Sequence, residues 1–147
     1  MSRASSHTDH QLENIGRLLL RAQRDFDAEL NARLRERGYP DVWLAHSALF
    51  AHIDAEGTRS SELAERAGMT KQGMGQLVAD LEEKGYVERV KDPADRRAKL
   101  VRLTKKGWQH IRDAREIIGK IEEAYARRLG DGRLETLRAI LKDLPSR

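Results

Sequence analysis

Residues 60–77 read Ser60-Ser61-Glu62-Leu63-Ala64-Glu65-Arg66-Ala67-Gly68-Met69-Thr70-Lys71-Gln72-Gly73-Met74-Gly75-Gln76-Leu77, and the fold turns on this stretch. It spells two helices and a tight corner. Ser60 can cap the first helix through its hydroxyl, and Glu62 sits in the first turn, where the helix dipole favours an anion. Leu63, Ala64 and Ala67 share one face, and small Ala64 lets a second helix cross closely. Gly68 stands where a helix end needs a left-handed residue, and Thr70 can cap a second helix running to about residue 84, ahead of Gly85. Met74, Leu77, Val78 and Leu81 give that helix an inner face at i, i+3, i+4, i+7. Helix, short turn and helix make a helix-turn-helix unit.

The outward face of the second helix then carries Lys71, Gln72, Gly73, Gly75 and Gln76. Those residues suit DNA. A Gln amide can pair with adenine N6 and N7, and Lys can reach guanine O6 and N7 or a phosphate. Thr70, at the helix start, suits a phosphate. Gly73 and Gly75 are costly, because a glycine in a helix interior loses roughly 1 kcal/mol relative to alanine. Two explanations stand open: the missing side chains let the backbone approach a groove wall, or the helix is mobile and orders only on its target. The bland alternative for the whole face is an ordinary solvated helix surface.

Downstream, residues 86–90 (Tyr-Val-Glu-Arg-Val) and 99–103 (Lys-Leu-Val-Arg-Leu) have the short, β-branched character of a hairpin. Between them, Asp92-Pro93-Ala94-Asp95-Arg96-Arg97 must form an exposed tip, since Pro93 bars regular pairing and aspartates favour turns. Lys99, at the hairpin base, and Arg59, just ahead of the first helix, are further candidates for phosphate. The helix pair, the D-P-x-D-R-R tip and the Leu100-Val101-Arg102-Leu103-Thr104 strand together resemble the winged helix-turn-helix of the MarR family of bacterial transcriptional regulators. The resemblance implies that Arg97 enters a minor groove and that Arg96 lies near a phosphate or assists Arg97. It also implies that Asp95 orients an arginine through a charge-assisted pair. A solvated turn with a surface salt bridge is the competing account of the same residues.

Both ends of the chain are amphipathic. Leu12, Ile15, Leu19, Ala22, Phe26, Leu30 and Leu34 recur at three-and-four spacing until Gly38 and Pro40, predicting a helix over residues 9–37. Asp41 is placed to cap a nearly all-apolar, buried helix over residues 42–53. After Thr104, Trp108, Ile111, Ala114, Ile118, Ile121, Tyr125 and Leu129 mark another long helix, and Leu134, Leu137, Ile140, Leu141 and Leu144 a last one. The expected fold is mainly α with a small β-hairpin wing. A winged helix-turn-helix lobe (residues 41–103) lies between N- and C-terminal dimerisation helices (residues 9–37 and 104–144). Residues 1–8 read as a disordered tail, and the whole chain as a single MarR-type domain.

In one copy those terminal stripes would be an exposed apolar patch, so a homodimer is expected, as the resemblance also implies. MarR-like proteins bind small effectors between the dimerisation helices and the DNA-binding lobe, which brings in Trp43, His46 and Trp108. A core role is the plainer account of all three.

Composition narrows the alternatives. The net charge is +4 over 147 residues and the isoelectric point about 9.6, which fits a polyanion partner without requiring one. Arg89, Lys91, Arg96, Arg97, Lys99, Arg102, Lys105 and Lys106 concentrate the positive charge around the hairpin. With no cysteine, a disulfide framework, a thiolate metal site and a cysteine oxidant sensor are excluded. The histidines lack metal-binding spacing, and there is no glycine-rich phosphate loop after a strand, so no metal, cofactor or enzymatic activity is expected. No apolar run suffices to span a bilayer, and the first residues lack a secretion signal, so a cytoplasmic location is expected. The expected function is a sequence-specific regulator, a repressor on a palindromic operator in double-stranded DNA, released by a small-molecule effector if it has one. The competing accounts are a winged-helix protein–protein module, whose arginine tip docks an acidic partner, and a non-specific architectural DNA binder.

Overall fold

The computed structural model describes residues 13–42 and 44–146. The expected tail at residues 1–8, the first residues of the N-terminal helix and Trp43 lie outside the described residues. In chain order the elements are α1 (Ile15–Arg37), a 3-10 turn (Leu44–His46), α2 (Ser47–Phe50), α3 (Ser60–Ala67), α4 (Lys71–Glu83), β1 (Val87–Lys91), β2 (Lys99–Leu103), α5 (Lys105–Leu129) and α6 (Arg133–Asp143). A mainly helical chain with a two-stranded antiparallel hairpin is the fold class expected from the sequence.

Among the described residues, helix α1 has a capped start. Asn14 is extended and its side-chain oxygen accepts from the Arg17 amide at 3.0 Å, so the helix opens at Ile15. Gly38, at φ 107°, ends it, and the Tyr39 amide closes back on the Leu34 carbonyl at 2.9 Å. The apolar stripe divides into two parts. Phe26, Leu30 and Leu34 join the core, where α1 packs along α5, whereas Ile15, Leu18, Leu19 and Leu20 remain exposed. At the inner end Arg37 donates to Asp113 at 3.0 Å and Tyr39 donates to the same carboxylate, clamping α1 onto α5.

Residues 42–53 do not form the single buried helix expected of them. They break into the 3-10 turn and the four-residue α2, and Leu44 is 44% exposed while Leu49 is fully buried. Asp41 is not a cap. Its carboxylate accepts from the Tyr86 hydroxyl at 3.0 Å and its carbonyl from Lys84 Nζ at 2.6 Å, so the group that would start a helix is held by residues just after α4.

Ser60 likewise is the first helical residue of α3 and not its cap; Arg59 holds the cap position with no side-chain bond. The cause lies far away in sequence. Thr58 exchanges two backbone hydrogen bonds with Val101 on β2, at 2.9 and 2.8 Å, and this pins the chain in extended form up to the helix start. Gly68, at φ 65°, makes the corner as expected. Thr70 caps α4, its Oγ1 accepting from the Gly73 amide at 3.0 Å, and Met74, Val78 and Leu81 are fully buried.

The hairpin pairs Val87 with Leu103 and Lys91 with Lys99, one residue later on β1 than the sequence suggested. Thr104 then both caps α5, accepting from the Gly107 amide, and donates to the Gly85 carbonyl at 2.6 Å. Gly107 is obligatory by contact: a Cβ there would collide with the Tyr86 carbonyl oxygen. Helix α6 buries nothing fully, and Leu137, Ile140, Leu141 and Leu144 stay exposed around it. No described helix is long and apolar enough to cross a membrane.

Candidate nucleic-acid interface

With one face of α4 spent on the core, its other face is fixed in orientation. Lys71, Gln72 and Gln76 are exposed there, and Gly73 and Gly75 are half-buried between them. Thr70 is exposed as well, although its hydroxyl oxygen already serves the cap. Ser60 sits half-buried in the first turn of α3.

The wing tip is a chain of short-range hydrogen bonds. Asp92 and Ala98 close the strands through an amide-to-carbonyl bond of 3.0 Å, and the Ala98 amide reaches the Asp95 carbonyl at 2.9 Å. Each aspartate also bonds an amide two residues on: Asp92 accepts from Ala94 at 2.9 Å and Asp95 from Arg97 at 3.0 Å. Asp95 was expected to orient an arginine by charge. That pair is present but long, the Arg97 Nε standing 3.8 Å from the carboxylate, and the closer bond is from the Arg97 amide. The Arg97 side chain is consequently 97% exposed, and Arg96 beside it is exposed too.

Arg59, the expected phosphate contact ahead of α3, has a partner within the chain. It is held by Asp92, Nε at 2.9 Å and Nη2 at 2.7 Å, so its first role is to fasten the foot of the wing to the start of α3. Asp92, nearly buried, is the residue the sequence did not single out. Its carboxyl is held below the ordinary carboxylate range by the Ala94 amide first and by Arg59 second. The repeated Asp of the D-P-x-D motif was the available signal.

Charge around the hairpin is more selective than composition suggested. Arg102 is paired with Glu88 at 2.6 Å and Arg89 with Glu82 at 3.7 Å, while Lys106 lies over the Tyr86 ring. Among the described residues no carboxylate pairs with Lys91, Arg96, Lys99 or Lys105. Lys91 and Lys99 face each other across the strands. Opposed like charges destabilise a hairpin in isolation, and a polyanion relieves them.

Behind α4, a polar network ties that helix to the rest of the molecule. Asp80 Oδ2 is bonded to His46 Nε2 at 2.6 Å and to Lys84 Nζ at 3.0 Å, and these bonds, Lys84 foremost, lower its carboxyl pKa. His46 comes from the broken segment, which also borders a cavity of about 310 Å³ between α1, α2 and α5. Leu30, Leu34, Leu44, Phe50, Ile111 and Ile118 supply apolar walls, and Asn31, Ser47, His110 and Arg115 the polar groups. His46 and Trp108, the expected ligand contacts, are not among its walls: His46 turns to Asp80, and Trp108 packs on the core. His110, which the sequence reading passed over, is on the wall. Its ring lies against Tyr39, Phe50 and Tyr86, its Nδ1 is buried with no hydrogen-bond partner among the described residues, and burial lowers its pKa to about 4.

Residues 40–98 match the sequence profile of the MarR family. The transcriptional regulator HosA of Escherichia coli O111:H- is 29% identical over 106 residues, which span 71% of this chain and 78% of HosA. The helix-turn-helix and the wing tip thus lie in a MarR-family segment. The relatives the chain matches are transcriptional regulators, not enzymes. Likeness to solved MarR-family structures extends past the matched segment into the terminal helices. A mutant of MarR from E. coli complexed with operator DNA is 25% identical, with a TM-score of 0.72 over 89% of this chain and 94% of that one. CouR from Rhodococcus jostii RHA1, bound to p-coumaroyl-CoA, is 27% identical, with a TM-score of 0.70 over 92% of this chain and 95% of that one. The MarR-family segment holds α3, α4, β1 and the whole wing tip, and stops one residue short of Lys99.

Proposed function

We propose that this chain acts as a homodimeric repressor of the MarR type that reads a palindromic operator, with α4 in the major groove and the wing tip in the neighbouring minor groove. Lys71, Gln72 and Gln76 make the base contacts, Gly73 and Gly75 permit approach, and Thr70, Ser60, Arg59 and Lys99 lie along phosphates. Arg97 enters the minor groove, with Arg96 beside it and Asp95 holding the turn. The observation that carries this reading is the Arg97 side chain, 97% exposed at the end of a hydrogen-bonded tip that Arg59 and Asp92 fasten to the helix-turn-helix. An arginine ordered at its backbone, with its head in solvent and only loosely paired to Asp95, is what minor-groove insertion needs.

The dimer reading rests on the terminal helices, proposed to span residues 9–37 and 104–144 on either side of a DNA-binding lobe at residues 41–103. Ile15, Leu18, Leu19, Ile140 and Leu141 lie exposed there, and burying them is favoured in proportion to their apolar area. The cavity beside α2 is where a small effector would bind. It would act by favouring a spacing of the two α4 helices that no longer fits DNA.

Binding to an operator duplex, measured across a range of salt, tests the contacts. Arg97→Ala is expected to weaken binding by about 1–3 kcal/mol, and Lys71→Ala to lower the salt slope by about one if Lys71 neutralises a phosphate. Unchanged affinity in both variants removes the assignment. Equal affinity of the wild type for operator and random duplex would favour an architectural binder, and no binding to either would favour a protein-docking wing.

A further inference from the structure

The two glycines of α4 have different reasons to be glycine. A Cβ built on Gly73 would stand 3.0 Å from Thr70 Oγ1, the oxygen that caps the helix through the Gly73 amide. The fold itself therefore asks for a small residue at Gly73. Gly75 has no such reason. Its φ is not positive, and a Cβ there would meet no atom of the chain within 4 Å. Glycine is nonetheless among the least favourable residues in a helix interior, and a single methyl group there would stabilise α4 at no steric cost within the molecule.

Gly75 lies in the middle of the outward face, four residues after Lys71 and flanked by exposed Gln72 and Gln76. We propose that Gly75 is a specificity-determining residue: its bare Cα lets the helix backbone sit against the major-groove wall, deep enough for Gln72 and Gln76 to span base edges. The assignment rests on the reading of α4 as the DNA-contacting helix. It separates the glycines: Gly73 also serves the cap, whereas Gly75 serves the groove alone. It also predicts opposite effects of one methyl group on folding and on recognition.

The test uses the full-length chain with Gly75→Ala and Gly75→Leu, a duplex that the wild type selects from a random pool, and a random duplex of equal length. Gly75→Ala is expected to raise the thermal midpoint by about 2–4 °C, as better helix formation requires. Its affinity for random duplex stays within about twofold, because the charges are unchanged. Its affinity for the selected duplex falls about tenfold or more, the size of a lost base contact, and Gly75→Leu falls further. Undiminished binding of both variants to the selected duplex overturns the inference. So does a lowered midpoint in Gly75→Ala, which would make the glycine a requirement of the fold. A wild type that selects no duplex from the pool overturns the underlying reading of α4 instead.

Discussion

His110 is an imidazole among aromatic rings, with Nδ1 lacking a polar neighbour among the described residues. Burial lowers its pKa from 6.5 to about 4. Between those values the unfolded chain binds a proton that the folded chain refuses, so its contribution to stability is complete above about pH 6.5 and is lost as the pH falls toward 4. Chemical denaturation of the wild type and His110→Leu is expected to show that the variant loses less stability over that interval; parallel pH profiles would contradict this. Individual residues were legible unevenly. Lys71, Gln72, Gln76 and Arg97 could be picked out because their exposure follows from helix period and turn chemistry, which are local. Asp92, Arg59 and His110 could not be placed, because what they do is set by partners remote in sequence: Arg59 lies 33 positions from Asp92.

At the scale of elements, caps and corners written into neighbouring residues are reproduced by the fold. Gly38, Gly68, Thr70 and Thr104 all end or begin helices where their chemistry suggested. Elements governed from a distance were misread. Residues 42–53 are apolar enough for one helix, but Tyr86 and Lys84 hold Asp41 and Asp80 bonds to His46, and the segment breaks to meet them. Ser60 lost its capping role to the bridge between Thr58 and Val101. The tightest joint between elements is the crossing of α5 over the turn before β1, where Gly107 lies against the Tyr86 carbonyl. Gly107→Ala is expected to destabilise the fold by about 2–3 kcal/mol, despite alanine's better helix propensity, because backbone must move to admit it. Urea unfolding would show this, and a variant as stable as the wild type would mean the joint is looser than its contact implies.

The whole molecule leaves two surfaces unfinished, one on the terminal helices and one on the wing. The terminal helices leave Ile15, Leu18, Leu19, Leu137, Ile140 and Leu141 exposed, and the wing leaves Lys91, Arg96, Arg97 and Lys99 without a strong partner. On the function proposed above, the first surface takes a second copy and the second takes DNA. Between them lie the cavity and the His46–Asp80 link, so a molecule bound beside α2 adjoins the segment that holds α4. A lone subunit could present only one α4, whereas two related by a two-fold axis present a pair about 34 Å apart, matched to one turn of B-DNA. Selection of bound duplexes from a random pool by the wild-type chain tests that geometry directly. An inverted repeat with half-site centres about 10 base pairs apart is predicted; a single unrepeated half-site, or no enrichment over the starting pool, would contradict it.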